Sequence, residues 1–128
     1  MQKAITSYTV QLLSSVKTGL AAQILFKNNQ SFVGRIDFYT GVELPKSYLW
    51  HPNNPTDESQ TYLVLAMSFD AFLSVTELIR NERPWGLELW PASSPMSGAS
   101  TDGYGGKLYT TSDEIIGEQE FDLQALRP

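Results

Sequence analysis

The sequence predicts an α+β fold: a single domain over residues 1–128 with two helices on a bent, mostly antiparallel sheet of five or six strands. Three observations lead to this prediction. Two alternating runs at 20–38 have the pattern of a β-hairpin, a continuous apolar run occupies 61–68, and a helical pattern follows it. A chain of 128 residues, 41% of them hydrophobic, is long enough to bury one core.

The first segment is predicted to be a helix over residues 7–18. Its apolar residues recur at spacings near three, four and seven, at Ile5, Leu12, Leu13, Val16 and Leu20. Gly19 is available to end such a helix. The alternative is a strand built on Tyr8, Val10 and Leu12, because threonine and valine are frequent in this segment.

The next segment predicts a hairpin, small-barrel-like, that turns at Asn28-Asn29-Gln30. A three-residue loop there places Phe26 opposite Phe32 and Ile24 opposite Gly34. One face of the hairpin then collects the apolar side chains of Leu20, Ala22, Ile24, Phe26, Phe32, Ile36 and Phe38. Gly34 lies on this inward face, so we interpret it as a packing glycine that lets the strand coil or another element cross closely.

The middle of the chain alternates between a polar connection and two regular elements. Residues 41–60 are rich in proline and asparagine and predict a flexible loop with room for a short strand at 48–50. The run 61–68 predicts a strand buried on both faces. Residues 68–84 predict the second helix: Ser68 and Asp70 are available as caps, and its apolar stripe consists of Phe72, Val75, Leu78 and Ile79.

The last third of the chain is predicted to return to strands. Residues 85–90 alternate as in a half-buried strand, and the Gly, Ser and Pro-rich stretch 91–106 predicts a second flexible loop. Runs at 107–111 and 114–123 predict the final strands.

Composition and charge narrow the classes of function. The chain has no cysteine, which excludes disulfides, thiolate metal sites and thiol nucleophiles. The net charge of −5 repels phosphate polymers, so nucleic acid is not the expected partner. Polar residues interrupt the N-terminal segment, and no stretch reaches 18 consecutive apolar residues. We therefore expect no signal peptide, no membrane contact and a cytoplasmic protein.

Motifs for catalysis are weak. His51 is the single histidine, which excludes a pair of histidine metal ligands, and its position beside Trp50 suits a packed or exposed residue better than an acid or base. The glycines of 98–106 match neither the glycine spacing of the P-loop nor that of the dinucleotide-binding loop. The acidic residues of 113–122 suit the solvated side of an edge strand better than a calcium or magnesium site. We expect a non-enzymatic protein without cofactor or metal; the alternative is a small hydrolase or carboxylate-metal enzyme.

Large aromatic side chains in or beside the predicted loops indicate a binding surface, since tryptophan and tyrosine dominate contact energetics. The candidate binding residues are Tyr48, Trp50, His51, Trp90 and Tyr104. The sequence thus predicts an interaction or assembly protein that contacts a protein partner or associates with itself, as a homo-oligomer.

The first 45 residues also resemble Sm-like small-barrel RNA-binding proteins. A helix, a hairpin with a glycine in its second strand and the segment FYTGVEL at 38–44 are similar to the start of that family's first motif. Tyr39 stands where the family has aspartate, and Glu43 where it has its nucleotide-contacting asparagine. The segment 79–81 is similar to its second motif, but lies in a helical pattern. The resemblance covers about a third of the chain and implies RNA binding as an alternative function.

Overall fold

Strands make up most of the described chain, together with one α-helix and a short 3₁₀ turn that precedes it. The computed structural model describes residues 1–14, 18–41, 43–51, 60–83, 85–91 and 100–110. The elements are β1 (Gln2–Ile5), β2 (Ser7–Leu12), β3 (Leu20–Asn28), β4 (Ser31–Tyr39), β5 (Tyr48–Trp50), β6 (Tyr62–Ser68), α1 (Phe72–Asn81), β7 (Trp85–Pro91) and β8 (Ser100–Thr110).

The strands form two sheets that share β8, in the continuous order β1-β7-β8-β5-β6-β4-β3-β2. The two strands at the ends of this order, β1 and β2, are separated in the sequence by Thr6 alone. At Thr6 the chain leaves β7 and joins β3, where the backbone N–H of Thr6 donates to the carbonyl of Lys27 at 2.8 Å. One continuous segment therefore connects both ends of the sheet and closes it around the core.

The predicted helix over 7–18 is wrong. Residues 7–12 form β2, the alternative interpretation, and pair with β3 so that Tyr8 lies opposite Phe26 and Val10 opposite Ile24. The reason is that the backbone groups of residues 7–12 pair with those along the edge of β3, and the β-branched residues of this segment suit a strand. The described chain has one α-helix rather than two, and eight strands rather than five or six.

The hairpin of β3 and β4 is confirmed, with a different register. The turn contains two residues, Asn29 and Gln30, which both adopt positive φ (50° and 76°) as a tight hairpin turn requires. A shift in register between Phe26 and Lys27 then places Phe26 opposite Gly34. Ala22, Ile24, Phe26, Ile36 and Phe38 are all fully buried, whereas Phe32 is half-buried on the other face.

The apolar run 61–68 is a central strand, β6, as predicted. Leu63 and Leu65 point into the core, and Val64, also buried, lies on the opposite face. The strand pairs antiparallel with β5 and parallel with β4, which is the one parallel pairing among the described strands. β5 itself occupies residues 48–50 of the predicted loop 41–60, and residues 52–59 lie outside the described ranges.

The helix predicted after this strand is α1. The Ser68 side chain caps the 3₁₀ turn before it by accepting from the backbone N–H of Asp70 at 3.3 Å. Val75 and Ile79 are buried, and the ring of Phe72 meets Phe38 edge-on at 5.1 Å. The predicted stripe is therefore the face that α1 packs on the sheet. No helix in the described ranges is long and apolar enough to cross a bilayer.

The second predicted loop, 91–106, is corrected in part. Residues 100–106 belong to β8, which pairs with β5 at its start and with β7 over the rest of its length; residues 92–99 are outside the described ranges. Gly106 fits the strand because it has no Cβ. A Cβ at this position would meet the carbonyl of Glu88 and the side chain of Leu65. Close packing, rather than flexibility, explains this glycine. The predicted strand at 114–123 lies outside the described residues.

The missing side chain at Gly34 has a similar cause. A Cβ there would lie 2.5 Å from the carbonyl oxygen of Leu63 on β6 and 2.9 Å from the side chain of Leu87, which reaches across from β7. Gly34 thus allows two walls of the closed sheet to approach each other.

We expect Gly34→Ala to lower the free energy of unfolding by about 1–3 kcal/mol, the usual range for overpacking a core. The matched control is Gly105→Ala on β8, where a Cβ would meet the ring of Trp90 at an ordinary 3.4 Å. Urea denaturation of both variants measures the difference. A Gly34→Ala protein as stable as the wild type would contradict the packing explanation.

Candidate functional site

The outer face of β4, β5 and β6 carries a cluster of aromatic side chains around one arginine. Leu49 on β5 and Leu63 on β6 point into the core, so their neighbours point outward. This outer aromatic surface consists of Phe32, Arg35, Tyr48, Trp50 and Tyr62, all half-buried. It includes two residues predicted from the sequence, Tyr48 and Trp50.

The rings of this surface contact one another. Trp50 and Tyr62, which are cross-strand partners, stack with their ring centroids 6.3 Å apart and their planes 28° apart. Phe32 packs against the other side of the group, with its centroid 5.2 Å from that of Tyr62. Such contacts hold the rings in fixed positions and reduce the entropy that a binding partner would have to overcome.

A polar network positions Arg35 beside these rings. Arg35 donates from Nε to Asp37 Oδ1 at 3.0 Å and from Nη2 to the hydroxyl oxygen of Tyr48 at 3.1 Å. Gln23 on β3 donates to the same Asp37 oxygen at 2.9 Å. Asp37 is only 4% exposed, so its charge is satisfied by these donors rather than by water.

The charges of this network alter its neighbours. Burial opposes the charge of Arg35, but the nearby Asp37 carboxylate outweighs burial and raises the pKa of Arg35 above its ordinary value. Burial also raises the pKa of the Tyr62 phenol. At neutral pH the surface therefore presents a permanent guanidinium cation beside the neutral phenol of Tyr62, a combination that is common at protein contacts.

His51 does not belong to this surface. It follows Trp50 and therefore points inward, where it is fully buried. Its Nε2 lies 3.0 Å from the hydroxyl of Thr101 on β8, and its Nδ1 has no hydrogen-bond partner within the described chain. Burial lowers the pKa of the imidazole, because the charged form would lose its hydration.

Trp90 and Tyr104 lie elsewhere. Trp90 is on the outer face of β7, 37% exposed, and β8 separates β7 from β5. Its ring covers Gly105. Tyr104 is in β8, and its side chain is not among those described.

A cleft of about 450 Å³ opens beside the short strand β5. Its walls are β6, β8, helix α1 and the segment 44–47, and Ser47 connects β6 to β8 at one end: its Oγ accepts from Ala66 N at 3.0 Å and its carbonyl from Gly103 N at 2.9 Å. No predicted residue with a described side chain lines this cleft. Pattern analysis missed it because it arises where β5 ends early between two longer strands.

No protein-family model matches this chain, and comparison with curated proteins and with solved structures finds no significant similarity. The segment 79–81, compared above with the second Sm-like motif, is the last turn of α1. Within the described residues, no group of three histidine, aspartate or glutamate side chains is close enough to hold a metal ion. The acidic residues of 113–122 lie outside those ranges.

Three members of the outer aromatic surface were not among the predicted site residues: Phe32, Arg35 and Tyr62. Alternation along each strand assigns Arg35 and Tyr62 to an outward face, but it cannot show that β4 and β6 are neighbours. The sequence also contains the information that His51 points inward, because Leu49 and His51 alternate with Trp50 and therefore lie on the same face.

We expect His51 to make the fold less stable in mild acid. The unfolded chain binds a proton at His51 below a pH of about 6.5, whereas the folded chain resists it, so stability falls as the pH drops, by up to about 1.4 kcal/mol per pH unit. Urea denaturation at pH 7.5 and 5.5 measures this loss, and His51→Gln should reduce it. An equal loss in the variant would show that other groups cause it.

Proposed function

We propose that this protein acts by binding other protein molecules through the outer aromatic surface, without catalysing a reaction. The observation that supports the proposal is the combination of Trp50, Tyr62, Tyr48 and Arg35 on one face of adjacent strands. Tryptophan, tyrosine and arginine are the residues most enriched where alanine substitution costs the most binding energy.

The environment of the surface favours this use. Its rings are partly exposed although they lie beside a buried polar network, so a partner could cover them without displacing the side chains beneath. Arg35 is held by Asp37 and Tyr48, and its side chain remains 27% exposed. A rigid aromatic patch beside a positioned cation suits a protein partner with an apolar residue and a hydrogen-bond acceptor.

A photoreactive benzophenone amino acid at Lys27, which is exposed and is the cross-strand partner of Phe32 on the same face, tests this proposal in cells of the source organism. We expect a discrete protein adduct that Trp50→Ala reduces about tenfold or more, as for a residue central to an interface. The control is Leu73→Ser, which removes a side chain 72% exposed on α1. Melting temperatures of both variants report folding.

The outcome can contradict the proposal clearly. An adduct that persists in a folded Trp50→Ala protein would place the contact elsewhere. Equal loss of the adduct in the Leu73→Ser control would show that the effect is not specific to the aromatic surface.

Single-stranded RNA is the second candidate partner. Bases stack on aromatic side chains and on arginine, and the outer aromatic surface offers both on the face of a sheet. The net charge of −5 and the substituted Sm-like motif count against it.

If RNA binds there, oligouridine or oligoadenine should quench the fluorescence of Trp50 at low salt, with an affinity that falls as salt rises. The variant Tyr62→Ala keeps Trp50 but removes the ring stacked on it, so it should lose most of this quenching. A flat titration at low salt would remove RNA from consideration.

The hydrolase or carboxylate-metal alternative stays a prediction, as does the cytoplasmic location. Calorimetry with Ca²⁺, Mg²⁺ and Mn²⁺ addresses the metal version, because the acidic residues of 113–122 would release or absorb heat on binding these ions.

A further inference from the structure

One edge of the strand β2, called its free edge below, has no partner strand within the described residues. On one side it pairs with β3 over its whole length, and on the other no strand of the described chain pairs with it. The segment that closes the sheet consists of β1 and β2. It pairs with β7 only before Thr6, so β2 extends beyond the closed part of the sheet. Its backbone N–H and C=O groups on that side form the row that another strand can pair.

The side chains of β2 do not protect this edge. Natural edge strands commonly carry lysine, proline or a bulge that prevents pairing with another chain. β2 has none of these, and residues 4–16 contain no charged residue, although the whole chain has a net charge of −5. Two copies can therefore approach along β2 without bringing like charges together.

Apolar side chains accompany the free edge. Val10 is 40% exposed, Leu12 73% and Leu13 37%. In contrast, Ile24 and Ala22, the β3 partners of Val10 and Leu12, are fully buried. Tyr8, Val10 and Leu12 share one face of the strand, the face that continues the core side of β3. The core face of the sheet therefore extends past the point where the remaining elements cover it.

We propose that β2 pairs antiparallel with β2 of a second copy of this chain, with a two-fold axis at Val10. In this register Val10 faces its own copy, Leu12 faces Tyr8 of the other copy, and Leu13 faces Ser7. Every exposed apolar residue of the segment then contacts the other copy, and the apolar faces of both strands lie on the same side. A second copy is the occupant because the strand is complementary to itself and offers a charged peptide no partner for its charge.

This pairing does not involve the outer aromatic surface. That surface lies on β4, β5 and β6, on the face of the sheet that points away from the core. The dimer would present two copies of that surface. The Trp50-dependent adduct should therefore persist when the β2 pairing is abolished, so that either proposal can fail without the other.

The absence of cysteine allows a direct test with single-cysteine variants. In Val10→Cys the two cysteines lie directly opposite each other, at a Cα separation that suits a disulfide. In Leu12→Cys they are displaced by four residues along the strands, about 13 Å, which a disulfide cannot bridge. Leu12, the control position, is more exposed than Val10, so random collision between molecules would favour a disulfide at Leu12.

We expect mild oxidation with copper phenanthroline to give about tenfold more disulfide-linked dimer from Val10→Cys than from Leu12→Cys. Equal yields, no dimer from either variant, or a higher yield from Leu12→Cys would overturn the proposed pairing. Spectra in the far ultraviolet show whether both variants keep the wild-type fold.

Sedimentation velocity supplies the second measurement, on the unmodified chain. The wild type should show a concentration-dependent dimer, and Val10→Lys should be monomeric because two lysines would face each other across the axis. The matched control Leu73→Lys makes the same change, from an apolar residue to lysine, at a position of α1 that is 72% exposed, and should leave the dimer intact. A wild type that remains monomeric at its solubility limit, or a dimeric Val10→Lys protein, would overturn the proposal.

Discussion

The change of partner at Thr6 is the constraint on which the rest of this structure depends. A sheet of eight strands has two edges, and here one short segment forms both. The hydroxyl of Thr6 accepts from the backbone N–H of Asn29 at 2.8 Å, which holds the bend against the β3–β4 turn. Ile5 is buried on one side of the bend, and on the other the ring of Tyr8 meets Trp85 edge-on at 5.3 Å. The core is enclosed because this segment contacts both ends of the sheet.

Closure gives every strand an inside and an outside, and the candidate sites follow from that division. His51 lies inside and Trp50 outside because His51 directly follows Trp50, the last residue of β5. The outer aromatic surface exists because the parallel pairing of β4 with β6 places Arg35 beside Val64, in register with Tyr48 on β5. The free edge of β2 has the same origin, since the segment that closes the sheet is longer than closure requires.

Some elements of the site could be predicted from the sequence. The short strand at 48–50 and the outward position of Trp50 follow from local alternation and from the unusual placement of large rings beside prolines and asparagines. Arg35 and Tyr62 could not be assigned to the same site, because they are distant in sequence and only the order of strands makes them neighbours. The cleft beside β5 could not be predicted either, because it depends on how far three neighbouring strands extend relative to one another.

The sequence by itself determined the elements whose periodicity is strong: the hairpin of β3 and β4, the buried strand β6, helix α1 and the half-buried strand β7. Each is specified by local alternation or by a helical stripe with a cap, which act over a few residues. Only the tertiary structure decided that residues 7–12 form a strand, that the glycines of β8 are packed rather than mobile, and that Gly34 faces Phe26. The physical reason is common to all three. A strand is stabilised by its neighbours, and which strands become neighbours depends on contacts between residues far apart in the chain.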